Sequence, residues 1–460
     1  MINAQTFSIS DYLNRTFSCG CGITHQTELK DVEISSGAVE KIPYYMNKYG
    51  YSRAFIVCDC NTREVCGNEV KSVLDKAGYA NKLFTFSAQE LVPDEAAIGE
   101  LMVAFDKDAD LIIAVGTGTI NDSCKFVSYQ MKRDYFVVAT APSMDGFAST
   151  GAPLITDHLK TTYETHTPIA IIGDLKVLCR APMNMITAGL GDILGKYTCL
   201  TDWKISHVVN GEYYCEAIAQ MVEVSIQKVV ENIELVKTRD PKVIQSIMEA
   251  LILTGIAMSF VGNSRPASGS EHHISHFWEM KFLFEGRKPV LHGTKVGIGT
   301  VAITYLYGEL KKMQINFEKA RLVAKNFDYK KWEQKIADTY SVAAPGVIQL
   351  EKKVRKNAPE THAERVANME KHWPEIVKIM DSLPPLSYIE KILSDLDAPI
   401  NPAQVGVDYQ SVVDSIIVAK EVRDRYTLLQ LLWDLGIAEE MAVKVADYFR
   451  DEQNHRTLPS

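Results

Sequence analysis

Four of the chain's eleven histidines, His272, His273, His276 and His292, fall between Asn263 and Gly299. Imidazole is a frequent ligand of zinc and its neighbours, so this concentration points to a metal. His272 and His276 are four apart and share one face if the segment is helical. His292 stands before a glycine and a second apolar segment, as a helix-entry residue would. Two of these rings could meet one ion where two helices pack. A hydrogen-bonded interior histidine is the competing reading. Gly189-Leu-Gly-Asp192-Ile-Leu-Gly-Lys196 adds a lone carboxylate amid glycines and apolar residues. Burying it would be costly unless a cation faces it. Asp192, His272 and His292 together would leave an open position for water or substrate, as a catalytic metal requires.

A second group suits a dinucleotide. Gly116-Thr117-Gly118-Thr119 follows the apolar run Leu111–Val115 and opens a helical stretch. Glycines let the backbone approach a phosphate, and a helix N-terminus offers unpaired N–H groups and the positive end of its dipole. The spacing is not G-x-G-x-x-G, so a simple tight turn competes with the diphosphate cradle. Asp59, ending the run Ala54–Cys58, is placed to accept from a ribose hydroxyl and to repel a 2′-phosphate, which favours NAD with NADP as the alternative. Thr140-Ala-Pro-Ser143-Met-Asp145-Gly-Phe-Ala-Ser149 offers hydroxyls and a carboxylate that could line a nicotinamide pocket or hold a polyol. Turn and cap residues look the same locally.

The elements that must position these groups change character along the chain. From about 32 to 175, apolar β-branched runs (Ala54–Cys58, Leu83–Phe86, Leu111–Val115, Tyr135–Ala139) alternate with helical stretches, the pattern of a parallel sheet. After Pro182 helix-compatible segments follow one another, including 184–207, 211–236, 241–262, 270–283 and 294–314. The expectation is an α/β dinucleotide-binding domain over 1–180, with a Rossmann-like sheet, and an all-α metal- and substrate-binding domain over 181–460. The charged stretch from Glu351 to Lys371 reads as a solvated helix face. Phe277, Trp278, Met280, Phe282 and Phe284 read as core, with an interface as the alternative.

At 460 residues and 46% hydrophobic the chain is an ordinary globular one, and a formal charge of −9 argues against a nucleic-acid footprint. No signal peptide and no uninterrupted apolar span is evident, so a cytoplasmic location and no membrane partner are expected. The nine cysteines are odd in number and irregular in spacing, as reduced thiols would be. On paper Cys19-Gly-Cys21 with His25 is half of a zinc site and Cys58-Asp-Cys60 the other half. The usual gap between paired cysteines is two residues, however, which favours simple thiols.

In this order, Gly116-Thr-Gly-Thr-Ile-Asn-Asp, Ala141-Pro-Ser-Met-Asp-Gly, Ala188-Gly-Leu-Gly-Asp-Ile-Leu-Gly-Lys, Ser264-Arg-Pro-Ala-Ser-Gly-Ser-Glu-His and Leu291-His-Gly resemble the sn-glycerol-1-phosphate dehydrogenase family, most closely its bacterial branch. That family belongs with glycerol dehydrogenase, the iron-containing alcohol dehydrogenases and 3-dehydroquinate synthase, and the likeness runs from about 19 to 435. The resemblance implies a dehydroquinate synthase-like fold and reversible reduction of dihydroxyacetone phosphate to sn-glycerol 1-phosphate. It implies Asp192, His272 and His292 as ligands of one divalent metal (Zn, Ni or Fe) and Gly116 to Thr119 as the diphosphate loop. Thr140, Ser143 and Ser149 become cofactor contacts, and Asp145 a residue at both the substrate and nicotinamide ends of the cleft. It also implies a homodimer. Cys19-Gly-Cys-Gly-x-x-His matches the branch's opening, which further weakens a zinc reading there. Lys196, Arg265, Ser268 and His276 are the candidates for the substrate phosphate on chemistry and position. A polyol dehydrogenase, or a lyase using NAD catalytically, is the alternative within the superfamily.

Overall fold

A computed structural model of the protein describes residues 8–88, 90–156 and 159–457. It divides into two compact units, Met1–Ile193 with Glu216–Pro266, and Leu194–Cys215 with Ala267–Ser460. The last strand ends at Asp174 and a long helix begins at Met183, but the two units are not separated by a single cut in the chain. Two helices from the helical half, Glu216–Val230 and Pro241–Val261, group with the sheet.

The first unit opens with a hairpin, β1 (Thr16–Ser18) and β2 (Thr24–Gln26). Six parallel strands follow: β3 (Asp31–Ser35), β4 (Arg53–Asp59), β5 (Ala80–Phe86), β6 (Leu111–Gly116), β7 (Asp134–Ala139) and β10 (Ala170–Asp174). They lie in the order β3-β10-β7-β6-β4-β5, and an antiparallel hairpin, β8 (Gly151–Thr156) with β9 (Leu159–Glu164), stands apart. β6 is fully buried and β4 nearly so, which explains their unbroken apolar runs. From β4 the chain crosses outward to β5, and from β6 it crosses the other way to β7. The order therefore reverses between β4 and β6, where sheets of this kind leave a crevice at the strands' carboxyl ends. Asp59 ends one of these strands and Gly116 the other. Helix α1 (Gly118–Gln130) begins directly after β6, and α2 (Met183–Asn210) begins in this unit. Glu216–Val230 is α3 and Pro241–Val261 is α4. The latter is long and apolar enough by length and composition to cross a membrane, but it carries Lys242 and Glu249 and 78% of its apolar window is buried inside the protein, as in the core helix of a globular unit.

In the second unit α5 (Ser270–Phe284) packs on α6 (His292–Lys312), so His292 is the first residue of its helix. A Cβ on Gly299 would lie 2.7 Å from the Glu271 carbonyl oxygen, so the absent side chain lets α6 approach α5 beside the histidines. Phe277, Trp278, Met280 and Phe282 are buried core.

The Glu351–Lys371 stretch corrects the reading of a wholly solvated face. Glu351, Lys356 and Arg365 are buried. Arg365 donates to Asp434 through Nε and Nη2 at 2.7 and 2.6 Å, and Lys356 lies 3.2 Å from Glu421. Charges buried in this way must be paired, and their partners come from 65 or more positions away, beyond the reach of helical periodicity.

Candidate active site

The residues expected to meet a cofactor, Asp59, Gly116 to Thr119, Thr140, Ser143 and Ser149, belong to the first unit. Thr117 is the N-cap of α1, without a side-chain cap bond. The first N–H groups of a helix lack intrahelical acceptors, so this turn presents donors at the crevice between β4 and β6. Asp59 caps a short helix: Oδ1 accepts from Thr62 N at 2.7 Å and Asp59 N donates to Thr62 Oγ1 at 3.0 Å. The cap bond engages Oδ1 of the carboxylate.

The segment after β7 is held from several sides. Thr140 N donates to Gly116 O at 3.2 Å, tying it to the glycine loop. A Cβ on Gly189 would lie 1.9 Å from Pro142 O, so the start of α2 rests directly on this backbone. Asp145 N donates to Asp192 Oδ2 at 3.1 Å, which orients a carboxylate that is itself fully buried. Thr140, Ser143, Asp145 and Ser149 are all buried. Beneath them lies Lys125, a residue that sequence reasoning passed over. Its Nζ donates to Gly146 O, Ser149 Oγ and Gly151 O at 2.9, 3.1 and 3.0 Å. Burial pushes its pKa down to about 8 and pushes that of Asp122, 3.9 Å away, up to about 6. Ser149 is thus engaged with Lys125 and the loop, so any role toward cofactor would be shared with that anchoring.

The histidines belong to the second unit. Ring centroids of His272 and His292 are 5.2 Å apart, and those of His276 and His292 5.4 Å. Glu271, also overlooked in the sequence, sets the first of these rings: His272 Nδ1 lies 2.7 Å from Glu271 Oε1. A carboxylate accepts, so Nδ1 carries the proton and Nε2 keeps its electron pair for a metal. Thr198 Oγ1 and Gly269 N donate to the same carboxylate, each at 2.7 Å. Burial would raise the pKa of Glu271, but these bonds together with His272 hold it below the ordinary value. His276 Nδ1 lies 3.3 Å from Glu279 Oε2, and His276, Glu279 and His292 offer ligand atoms within 4.8 Å of one another. His273, by contrast, is fully buried and held neutral, first by desolvation and then by Arg423, Arg425 and Lys356, and among the described residues it does not share a ligand group with the other three histidines.

Among the phosphate candidates, Lys196 is buried and donates to Ala267 O at 3.0 Å. Arg425, another residue the sequence did not single out, donates to Ser268 O at 3.4 Å, one residue before the Gly269 cap of α5. Lys196, Ser268 and Arg425 therefore meet at the positive end of the helix that carries His272. Arg265 is buried in the first unit. Asp202 fastens this end: Ser270 N and Oγ donate to its Oδ2 at 2.6 and 2.7 Å.

Residues 33–182 match the family described as iron-containing alcohol dehydrogenase. A glycerol-1-phosphate dehydrogenase of Halalkalibacterium halodurans, named with NAD(P)+, is 34% identical over 418 residues, 90% of this chain and 95% of the relative. The Geobacillus stearothermophilus enzyme of the same name is 32% identical, over 94% of this chain and 99% of its own length. Among solved structures, a probable glycerol dehydrogenase from Sinorhizobium meliloti aligns with a TM-score of 0.61 over 92% of this chain and 98% of its own, at 14% identity. A 1,3-propanediol oxidoreductase aligns at 0.59 over 91% and 98%, also at 14%. These two likenesses bear on the fold.

Proposed function

The chain belongs to the glycerol-1-phosphate dehydrogenase family, and on that premise we propose that it reversibly reduces dihydroxyacetone phosphate to sn-glycerol 1-phosphate with NAD(P)H. The observation that carries this reading is the likeness to named relatives over nearly their whole length.

Asp192, His272 and His292 would hold one divalent metal, Zn, Ni or Fe(II). The set suits such an ion: one carboxylate, and two imidazoles of which one has its Nε2 kept free of a proton by Glu271. Within the second unit, Lys196 bonds to Ala267 and Thr198 to Glu271, the neighbour of His272, so the later part of α2 is fastened to the helix that carries that histidine. When bound, the ion would supply Lewis-acid polarisation of the C2 carbonyl, and the dinucleotide would supply the hydride.

The chain's own residues bind and orient. Gly116, Thr117, Gly118 and Thr119 hold the diphosphate at the start of α1, and Asp59 accepts from the ribose. Thr140, Ser143 and Ser149 line the nicotinamide end, with Lys125 anchoring their loop. Asp145 sits between nicotinamide and substrate. Lys196, Arg265, Ser268 and His276 meet the phosphate, joined by Arg425. The enzyme works in the cytoplasm as a homodimer, and a light-scattering mass of 51.4 kDa with full activity would refute the dimer.

Phosphate recognition is the testable core. Charge-assisted contacts contribute about 1.5–3 kcal/mol each, so two of them favour dihydroxyacetone phosphate over dihydroxyacetone by about a hundredfold or more in kcat/KM. Arg425→Met and Arg265→Ala should each shrink that ratio. A stereospecific sn-glycerol-3-phosphate enzyme should leave the product untouched. A wild-type preference for dihydroxyacetone would move the reading to a polyol dehydrogenase.

Asp59→Ser should change cofactor choice without unfolding the turn, because serine also caps a helix. Removing a carboxylate that repels the 2′-phosphate is worth on the order of 1–2 kcal/mol, so the NADH to NADPH ratio of kcat/KM should fall about tenfold. An unchanged ratio would remove Asp59 from the ribose site.

A further inference from the structure

The sequence argued for simple thiols at Cys19 and Cys21, and the folded hairpin argues otherwise. β1 and β2 pair Phe17 with His25, and the turn between them carries both cysteines. Cys19 N donates to Ile23 O and Gly22 N to Cys19 O, both at 3.1 Å, with Gly22 in the left-handed region at φ +88°. This turn brings the two sulfurs back toward the histidine. Cys19, Cys21 and His25 each offer a ligand atom, and these lie within 4.8 Å of one another.

His25 is the informative member. It is fully buried, and its Nδ1 lies 2.7 Å from Phe260 O. A carbonyl only accepts, so Nδ1 carries the proton and Nε2 presents its electron pair, the arrangement usual for a metal-bound imidazole. That Nε2 is 3.4 Å from Cys21 Sγ. Bond lengths of about 2.3 Å to sulfur and 2.0 Å to nitrogen, at a tetrahedral angle, put the two donors about 3.5 Å apart. A thiol–imidazole hydrogen bond would account for this pair alone, but not for a second thiol on the same turn. Phe17 and Phe260, edge-to-face with centroids 5.3 Å apart, cover the ring and exclude water. Cys58 and Cys60, the partners conceivable from sequence, bond instead to carbonyls of β5, at 3.5 Å to Phe84 O and 3.3 Å to Phe86 O.

We propose that Cys19, Cys21 and His25 hold a second, structural divalent ion of the zinc class, unrelated to the one that would serve catalysis. Binding requires the thiolates, so each cysteine releases its proton to solvent as the ion enters. The site pins the N-terminal hairpin to α4 through His25 and Phe260.

Cobalt(II) loading of the full chain separates this site from the catalytic one, because only thiolate ligands give an intense near-ultraviolet charge-transfer band. Wild type should take up two equivalents of cobalt and show the band. The Cys19→Ser/Cys21→Ser double variant should take up one equivalent, lose the band and retain its kcat/KM within about twofold, with a melting temperature several degrees lower. His272→Ala should keep the band, so failure of the catalytic-metal reading leaves this test intact. Wild type without a thiolate band, whatever its cobalt content, would overturn the proposal. So would a band that persists in the double variant.

Discussion

His272→Ala and Asp192→Asn should each lower kcat/KM for dihydroxyacetone phosphate by about a thousandfold or more, with bound metal falling in parallel and the fold intact. The size follows from the chemistry. Lewis-acid stabilisation of an oxygen that gains charge is worth several kcal/mol, and about 4 kcal/mol corresponds to a thousandfold in rate. Removing one of three protein ligands withdraws most of that by releasing or misplacing the ion. Glu271→Gln should fall between wild type and these variants. An amide can still accept from His272 Nδ1–H, but without the carboxylate's charge, and losses of such supporting partners run to about 10–100-fold. Kinetics, metal analysis and circular dichroism on the same preparations decide the matter. Normal metal content and normal turnover in His272→Ala would remove these residues from the active site.

The second large effect comes from a single methyl group. Alanine normally stabilises a helix relative to glycine by about 1 kcal/mol, so Gly189→Ala in α2 would be expected to help. The fold reverses the sign. The added Cβ would stand 1.9 Å from Pro142 O and 2.9 Å from Pro142 C, backbone atoms that no rotamer change can move. Either α2 or the segment bearing Ser143 and Asp145 must shift, at a cost of about 1–3 kcal/mol. A displacement of that size near the reacting groups costs activity as well, on the order of a hundredfold. Gly308→Ala in α6 is the control, since nothing lies within 4 Å of its Cβ position, and it should raise the melting temperature slightly. If Gly189→Ala stabilised the protein as Gly308→Ala does, the close approach of α2 to Pro142 would be wrong.

Much of the architecture was legible in the chain because it depends on short-range pattern. Buried parallel strands read as unbroken apolar runs, and β4, β6 and β7 fall where those runs predict. His292 was read as a helix-entry residue from the glycine and apolar segment after it, and it begins α6. The motifs from Gly116 to His292 were enough to place the chain in a family to one member of which it is 34% identical over 90% of its length.

What the tertiary structure decided concerns groups whose partners are distant in sequence or whose surroundings periodicity does not encode. Glu271 was one more acidic residue before two histidines until its carboxylate met Thr198, Gly269 and His272. Lys125 drew no attention in the sequence, yet it is buried beneath the loop it holds. Arg365 lay in a stretch read as solvated and pairs with Asp434 in the interior. His25 draws its tautomer from Phe260, 235 positions away. The sequence by itself determined which segments become strands and helices and which residue types stand at their ends, because those follow from neighbours within a turn or a pleat. Burial, protonation and ligand orientation were left to the packed chain, because an electron pair or a buried charge is set by whatever atom lies about 3 Å away in space.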